Sequence, residues 1–132
     1  MQISTVLFKK EEADRLTNEF RFKIDLRLQA VLFEESLWLK RTFGKDAIVT
    51  CLMRTIDENK AVNGRPFSSH LDGRAADRRT FHLSQPEIDK WILHLNQVWG
   101  ELFLHTKYHD SGSGLHLHSN INMGFKRSIH LT

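Results

Sequence analysis

A chain of 132 residues, 40% hydrophobic and 27% charged, has the size and balance of one globular domain spanning residues 1–132 and is short for two. Its net charge of +3 and pI near 9.2 are mildly basic, which suits an anionic polymer such as a cell wall, while the absence of a dense Lys/Arg stripe with exposed aromatics argues against a nucleic-acid partner. A lone cysteine excludes an internal disulfide, and no run approaches 18 apolar residues, so no membrane insertion is expected.

The first 22 residues are charged and loosely patterned, and Met1–Lys10 lacks the basic start and long apolar run of a secretory signal. From Ile24 to Phe43 the apolar positions Ile24, Leu28, Val31, Leu32, Leu39 and Phe43 recur at helical spacing, and Gly44 is a stop. Asp46 to Met53 reads as a buried strand, with Cys51 as a small core residue. Asp57, Asn59, Asn63, Gly64 and Pro66 punctuate Thr55–Phe67, which reads as a loop. Ser84 and Glu87 form a capping box with Pro86 in the first turn, opening a helix whose stripe is Ile88, Trp91, Ile92, Leu95, Val98 and Trp99, closed by Gly100. Leu102–Tyr108 reads as a strand, His109–Gly114 as a turn and Leu115–Asn120 as the returning strand. This order predicts an α+β domain with a small antiparallel sheet flanked by helices.

Chemistry concentrates in Ser68-Ser69-His70-Leu71-Asp72-Gly73-Arg74-Ala75-Ala76-Asp77 and, 41 positions after Asp77, in His118 of His116-Leu117-His118. On a strand, residues two apart face one side, so His116 and His118 enter the same cleft. Gly73, Ala75 and Ala76 are small enough for the backbone to fold tightly and turn His70 and Asp77 toward one ion. Two imidazoles and a carboxylate are the donors of an open, three-ligand zinc site, so His70, Asp77 and His118 are the candidate metal ligands and Zn2+ the expected cofactor. Arg74, Arg78 and Arg79 lie beside Asp77 as a solvated basic run able to attract carboxylates. His82, His94, His105 and His130 have no motif support, whereas His109 is close enough in sequence to line the cleft.

The pattern Ser68-x-His70-x-x-Gly73-x-Ala75-x-Asp77 resembles the signature of the zinc D-Ala-D-Ala metallopeptidases, which include VanX/VanY-type enzymes and phage L-alanyl-D-glutamate endolysins. His70–Asp77 is also similar to the H-x-x-G-R-A-x-D of the Hedgehog signalling domain, which shares that fold, and His116-x-His118 is similar to the terminal H-x-H of lysostaphin-like enzymes. The resemblance covers about Arg54 to His118. It implies a Hedgehog/DD-peptidase-like fold and a zinc peptidase acting on peptidoglycan stem peptides, as a D-Ala-D-Ala carboxypeptidase or an L-Ala-D-Glu endopeptidase. It also implies that Arg54 holds the substrate and polarises the scissile carbonyl, and that Ser68 binds near the site. Many members carry a carboxylate three residues before the last ligand as general base; here that position is Leu115. His116, the base in the lysostaphin-like relatives, and Asp110, near an acidic residue of Hedgehog proteins, are the two substitutes. His116 is favoured because imidazole exchanges protons near neutral pH. The Leu115 gap leaves a catalytically silent, Hedgehog-like binding domain as the alternative. A small member without a signal resembles bacteriophage enzymes, made in the cytoplasm and delivered to the wall by a holin or a virion.

Overall fold

The computed structural model describes residues 7–9, 23–52, 56–61, 70, 73–110 and 114–122. In chain order the elements are β1 (Leu7–Phe8), α1 (Leu26–Phe43), β2 (Ile48–Cys51), α2 (Ile56–Ala61), β3 (Ala75–Arg79), α3 (Gln85–Leu95), β4 (Leu104–Asp110) and β5 (Leu115–Ile121). One turn of π-helix, Asn96–Gly100, extends α3 to the predicted stop.

Local chemistry sets the helix ends. The Asp25 carboxylate accepts the Arg27 amide at 2.8 Å, and Gly44, at φ 69°, closes α1 by donating its amide to the Lys40 carbonyl at 2.9 Å. At α3 both halves of the capping box form: Ser84 Oγ accepts from the Glu87 amide, and the Glu87 carboxylate accepts from the Ser84 amide.

The sheet order is β1-β2-β3-β5-β4. Every neighbouring pair is antiparallel except β1 with β2, so the five-stranded sheet is mixed. The α+β class is as the sequence predicts, but three local expectations change. Asp77 lies in β3, in the middle of the sheet, a strand that the predicted elements do not include. The segment Ala75-Ala76-Asp77-Arg78-Arg79 lacks the β-branched residues that advertise a strand. Residues His109 and Asp110 belong to β4 rather than to the turn, because β4 pairs with β5 as far as Asp110↔Leu115. Part of the expected Thr55–Phe67 loop is the helix α2.

Two faces of this sheet must be distinguished. On one, Ala76, Leu117 and Ile121 are fully buried with Leu28, Leu32 and Leu39 of α1 and Trp91 and Leu95 of α3 in a single core. Arg78 belongs to this side and is also fully buried, which corrects the expectation of a solvated basic run. Its guanidinium donates to Glu35 Oε1 at 3.1 Å, to Ser119 Oγ at 2.9 Å and to the Ala76 carbonyl at 2.9 Å. Trp91 Nε1 donates to the same Glu35 oxygen at 3.1 Å, and the Trp91 ring lies 5.5 Å from the Arg78 guanidinium carbon. Arg78 Nε and Glu35 Oε2 are 3.0 Å apart but out of hydrogen-bond alignment. Burial raises the Glu35 pKa, and the charge of Arg78 opposes that rise. Residues of β3, β4 and β5 with the opposite parity form the other face, and the site lies there.

Gly73 fixes the approach to β3. Its φ is +72°, and a Cβ there would meet the Lys23 carbonyl oxygen at 2.3 Å, so no other residue fits. The Gly73 carbonyl accepts the Asp25 amide at 3.0 Å, tying this corner to the start of α1. Ala75 and Ala76 follow on the extended strand β3 with no exposed surface.

Candidate metal centre

Strand register assembles the site. Asp77 pairs with His118 and Arg79 with His116 between β3 and β5; His118 pairs with Lys107 and His116 with His109 between β5 and β4. On the other side Cys51 of β2 pairs with Asp77. A carboxylate on the central strand is therefore flanked by imidazoles from one neighbour and a thiol from the other.

Three histidines converge on that carboxylate. His118 Nδ1 lies 2.8 Å from Asp77 Oδ1, His70 Nε2 lies 3.4 Å from Oδ2, and His116 Nε2 lies 3.7 Å from Oδ2. His70 is 2% exposed, and His116 is buried. For His70 and His116 the far nitrogen fixes the orientation of the ring. His70 Nδ1 is 3.3 Å from the Leu52 carbonyl and His116 Nδ1 is 2.9 Å from the Gly114 carbonyl. A carbonyl can only accept, so both Nδ1 atoms carry the proton and both Nε2 atoms face Asp77.

Electrostatics follow from these contacts. Burial alone would lower the His70 pKa, but its bonds to Asp77 and Cys51 outweigh burial and raise it to about 9. Burial pushes the Asp77 carboxyl upward, and the bonds from His118 and His70 overcome this, holding it well below the ordinary carboxylate range. For His118, burial wins over the attraction of Asp77, and its pKa is lowered. His109 is also lowered, by burial first and then by the nearby charges of His116 and Lys107. Its ring is 4.7 Å from that of His116 and 5.8 Å from that of His118, and its Nε2 is buried with no hydrogen-bond partner among the described residues.

The donors fit zinc. Imidazole nitrogen and carboxylate oxygen are zinc's ordinary ligands at about 2.0–2.2 Å, which places neighbouring donors of a tetrahedron about 3.4 Å apart. The separation of His70 Nε2 from Asp77 Oδ2 has that value. An Nδ1–H bound to a backbone carbonyl, as in His70, is the usual outer partner of a metal-ligating histidine. Among the described residues, the group whose donor atoms all lie within 4.8 Å of one another is Cys51, His70 and Asp77. Cys51 Sγ, however, lies 3.7 Å from His70 Nδ1, the nitrogen turned away from Asp77. His118 Nδ1 instead lies 2.8 Å from Asp77 Oδ1, closer than the tetrahedral spacing, as a hydrogen bond.

A family model of the M15 peptidases matches residues 10–108. The chain belongs to the peptidase M15 family. No curated protein and no solved structure matches it. Membership points to a zinc-dependent metallopeptidase, and the matched segment holds His70 and Asp77 of this M15 chain. It ends before β5, so the placement of His116 and His118 rests on the β3–β5 register alone.

Of the other residues singled out in the sequence, Arg54 and Ser68 lie outside the described residues, as does His130. Asp110 pairs with Leu115 on the opposite face from His116, and its Oδ1 accepts the Gly114 amide at 3.0 Å, holding the hairpin turn. The same alternation turns Leu115, 57% exposed, away from His118, so a carboxylate at that position would not face the ligands. His94 bonds Glu34 at 2.8 Å and stacks on Trp38, and His82 Nε2 donates to the Asp46 carbonyl at 2.7 Å; both are remote structural contacts. Sequence reasoning missed Cys51, which lines the pocket of His70 instead of filling the core. Its only signal is the Cys51↔Asp77 pairing, which cannot be read without knowing that Asp77 is on a strand.

Proposed function

We propose that this M15 chain is a zinc peptidase that hydrolyses peptidoglycan stem peptides. The observation that carries this reading is the convergence of His70, His116 and His118 on Asp77 on one face of the sheet. His70, Asp77 and His118 are the ligand set. When bound there, zinc supplies a Lewis acid that polarises a peptide carbonyl and makes water acidic enough to attack near neutral pH. The Leu52 carbonyl holds His70 in the tautomer whose Nε2 is directed inward. Asp77 keeps its negative charge at any pH where the site operates, because its carboxyl is held so low.

His116 is the better of the two candidate bases. With Nδ1–H donated to Gly114, its Nε2 lone pair faces the reacting centre and can take a proton from water and deliver it to the leaving amine. Asp110 stands on the wrong face and is occupied by the hairpin amide. His109, whose buried Nε2 has no bond among the described residues, lines the same cleft on the substrate side. Arg54 and Ser68 keep the substrate-holding roles that the family resemblance implies. Phage origin and delivery by a holin or virion remain part of this proposal.

Digestion of purified peptidoglycan by zinc-loaded protein tests the reading, with released ends identified by mass spectrometry and His118→Ala as control. New ends that require zinc and disappear in the variant establish the enzyme and name the bond. No fragment from a protein carrying stoichiometric zinc would overturn peptidase activity and leave a silent binding domain.

A further inference from the structure

The three arginines that read as one basic run in the sequence have three different fates. Arg78 is buried against Glu35, and Arg74 donates to the Ile121 carbonyl at 3.1 Å. Arg79 is half-buried on the site face of β3, two residues from Asp77 and paired with His116. Among the described residues no carboxylate partners it. Its contact is instead the Phe81 ring, whose centroid lies 4.8 Å from the guanidinium carbon. Phe81 is 80% exposed, so the ring serves as a platform in water and not as core. A guanidinium held over an aromatic ring spends none of its N–H donors on that contact, and the guanidinium fork is the group that recognises a carboxylate through two parallel bonds.

Charge on this face points the same way. Lys107, exposed and paired with His118, is a second cation without a carboxylate partner among the described residues. Asp77 is the sole acid on the site face of β3, β4 and β5, and it is already engaged by three imidazoles. Such a face attracts an anionic ligand.

From this arrangement we infer that Arg79 is a substrate-binding residue that anchors a peptide carboxylate, with Lys107 steering it. Two strand positions span about 6.7 Å, the length of two extended peptide residues, so the carboxylate recognised lies about two residues from the bond cut. This inference rests on the proposed peptidase reading and narrows it to substrates bearing a free carboxylate at that distance.

The test uses two peptides of stem-peptide type, identical except that this carboxylate is free in one and amidated in the other. Binding by calorimetry and turnover are both measured on zinc-loaded wild type, Arg79→Ala and Arg79→Lys. The wild type is expected to favour the free carboxylate by about 10–100-fold, the effect of a charge-assisted pair, expressed in Kd and KM with kcat unchanged. Arg79→Ala is expected to lose the preference, its Kd and KM for the free-carboxylate peptide rising to those for the amidated one. Arg79→Lys retains part, because a point charge replaces the fork. A preference that persists in Arg79→Ala, or none in the wild type, overturns the inference. Binding discrimination lost in Arg79→Ala without turnover in any protein supports the anchor while overturning the peptidase reading.

Discussion

Two faces of one sheet bury charge in opposite ways. Behind the sheet, Arg78 and Glu35 are fully buried and answered by each other, by Ser119 and by Trp91, so the guanidinium is locked in the core. In front, Asp77 is answered by His70 and His116, whose Nδ1 atoms are anchored to backbone carbonyls and whose Nε2 atoms face its Oδ2, and by His118 through Nδ1. The sequence is nearly continuous across the divide: Asp77 and Arg78 are neighbours, and a single step of strand alternation separates a candidate ligand from a core ion pair. Burial by itself thus does not mark a functional charge. What marks it is metal-binding donor types converging on one carboxylate.

Substitutions at these neighbours should separate the faces. The largest effect belongs to Asp77→Ala, which is expected to lower turnover by about 10³-fold or more, the equivalent of several kcal/mol of charge stabilisation, in a protein that remains folded. Steady-state kinetics and circular dichroism on the same preparation check this. Arg78→Met leaves Glu35 buried without its cation and should cost about 3–5 kcal/mol in denaturant unfolding. Adding Glu35→Leu to it should restore most of the loss, and zinc affinity should hardly change in the double variant. Were zinc binding to follow the Arg78 variants as closely as the Asp77 one, the distinction between the faces would collapse.

Smaller effects test the assignments within the front face. His116→Ala is expected to slow turnover at least about 10²-fold with zinc still bound. A proton on His70 must leave before that nitrogen can ligate. The raised pKa of about 9 against an ordinary 6.5 therefore makes zinc affinity climb by up to about tenfold per pH unit below pH 9 and level off above it. The same pair has a linkage sign in metal-free protein: the His70 contribution to stability is fully present below about pH 6.5 and fades as pH rises through 9. Asp77, lowered, contributes above about pH 4 and loses its share on acidification. Calorimetry across pH 6–9.5 reads the binding slope. The smallest change belongs to Asp110→Ala, which removes a hairpin bond worth about 1 kcal/mol and should leave turnover intact.

Much of this was legible before the fold was known. Helical spacing and capping residues located α1 and α3, since these signals are local and Ser84, Glu87 and Gly44 act within one turn. The His-x-His spacing needed only strand alternation to bring His116 and His118 onto one side. By contrast β3 was hidden, because its back face is carried by Ala76 and Arg78 and no apolar alternation announces it. Without β3, the fates of Arg78 and Arg79 could not be separated. Nor could Cys51 be placed beside His70, or Asp110 and Leu115 on the far face. Each depends on a pairing between strands distant in sequence, which composition does not encode.

The most direct test of the central claim is a zinc titration of metal-free protein, comparing wild type with His118→Ala and Asp110→Ala. The account predicts one equivalent bound by wild type and by Asp110→Ala, and binding at least about 10²-fold weaker in His118→Ala. Absence of zinc binding by the wild type, or undiminished binding by His118→Ala, would contradict it.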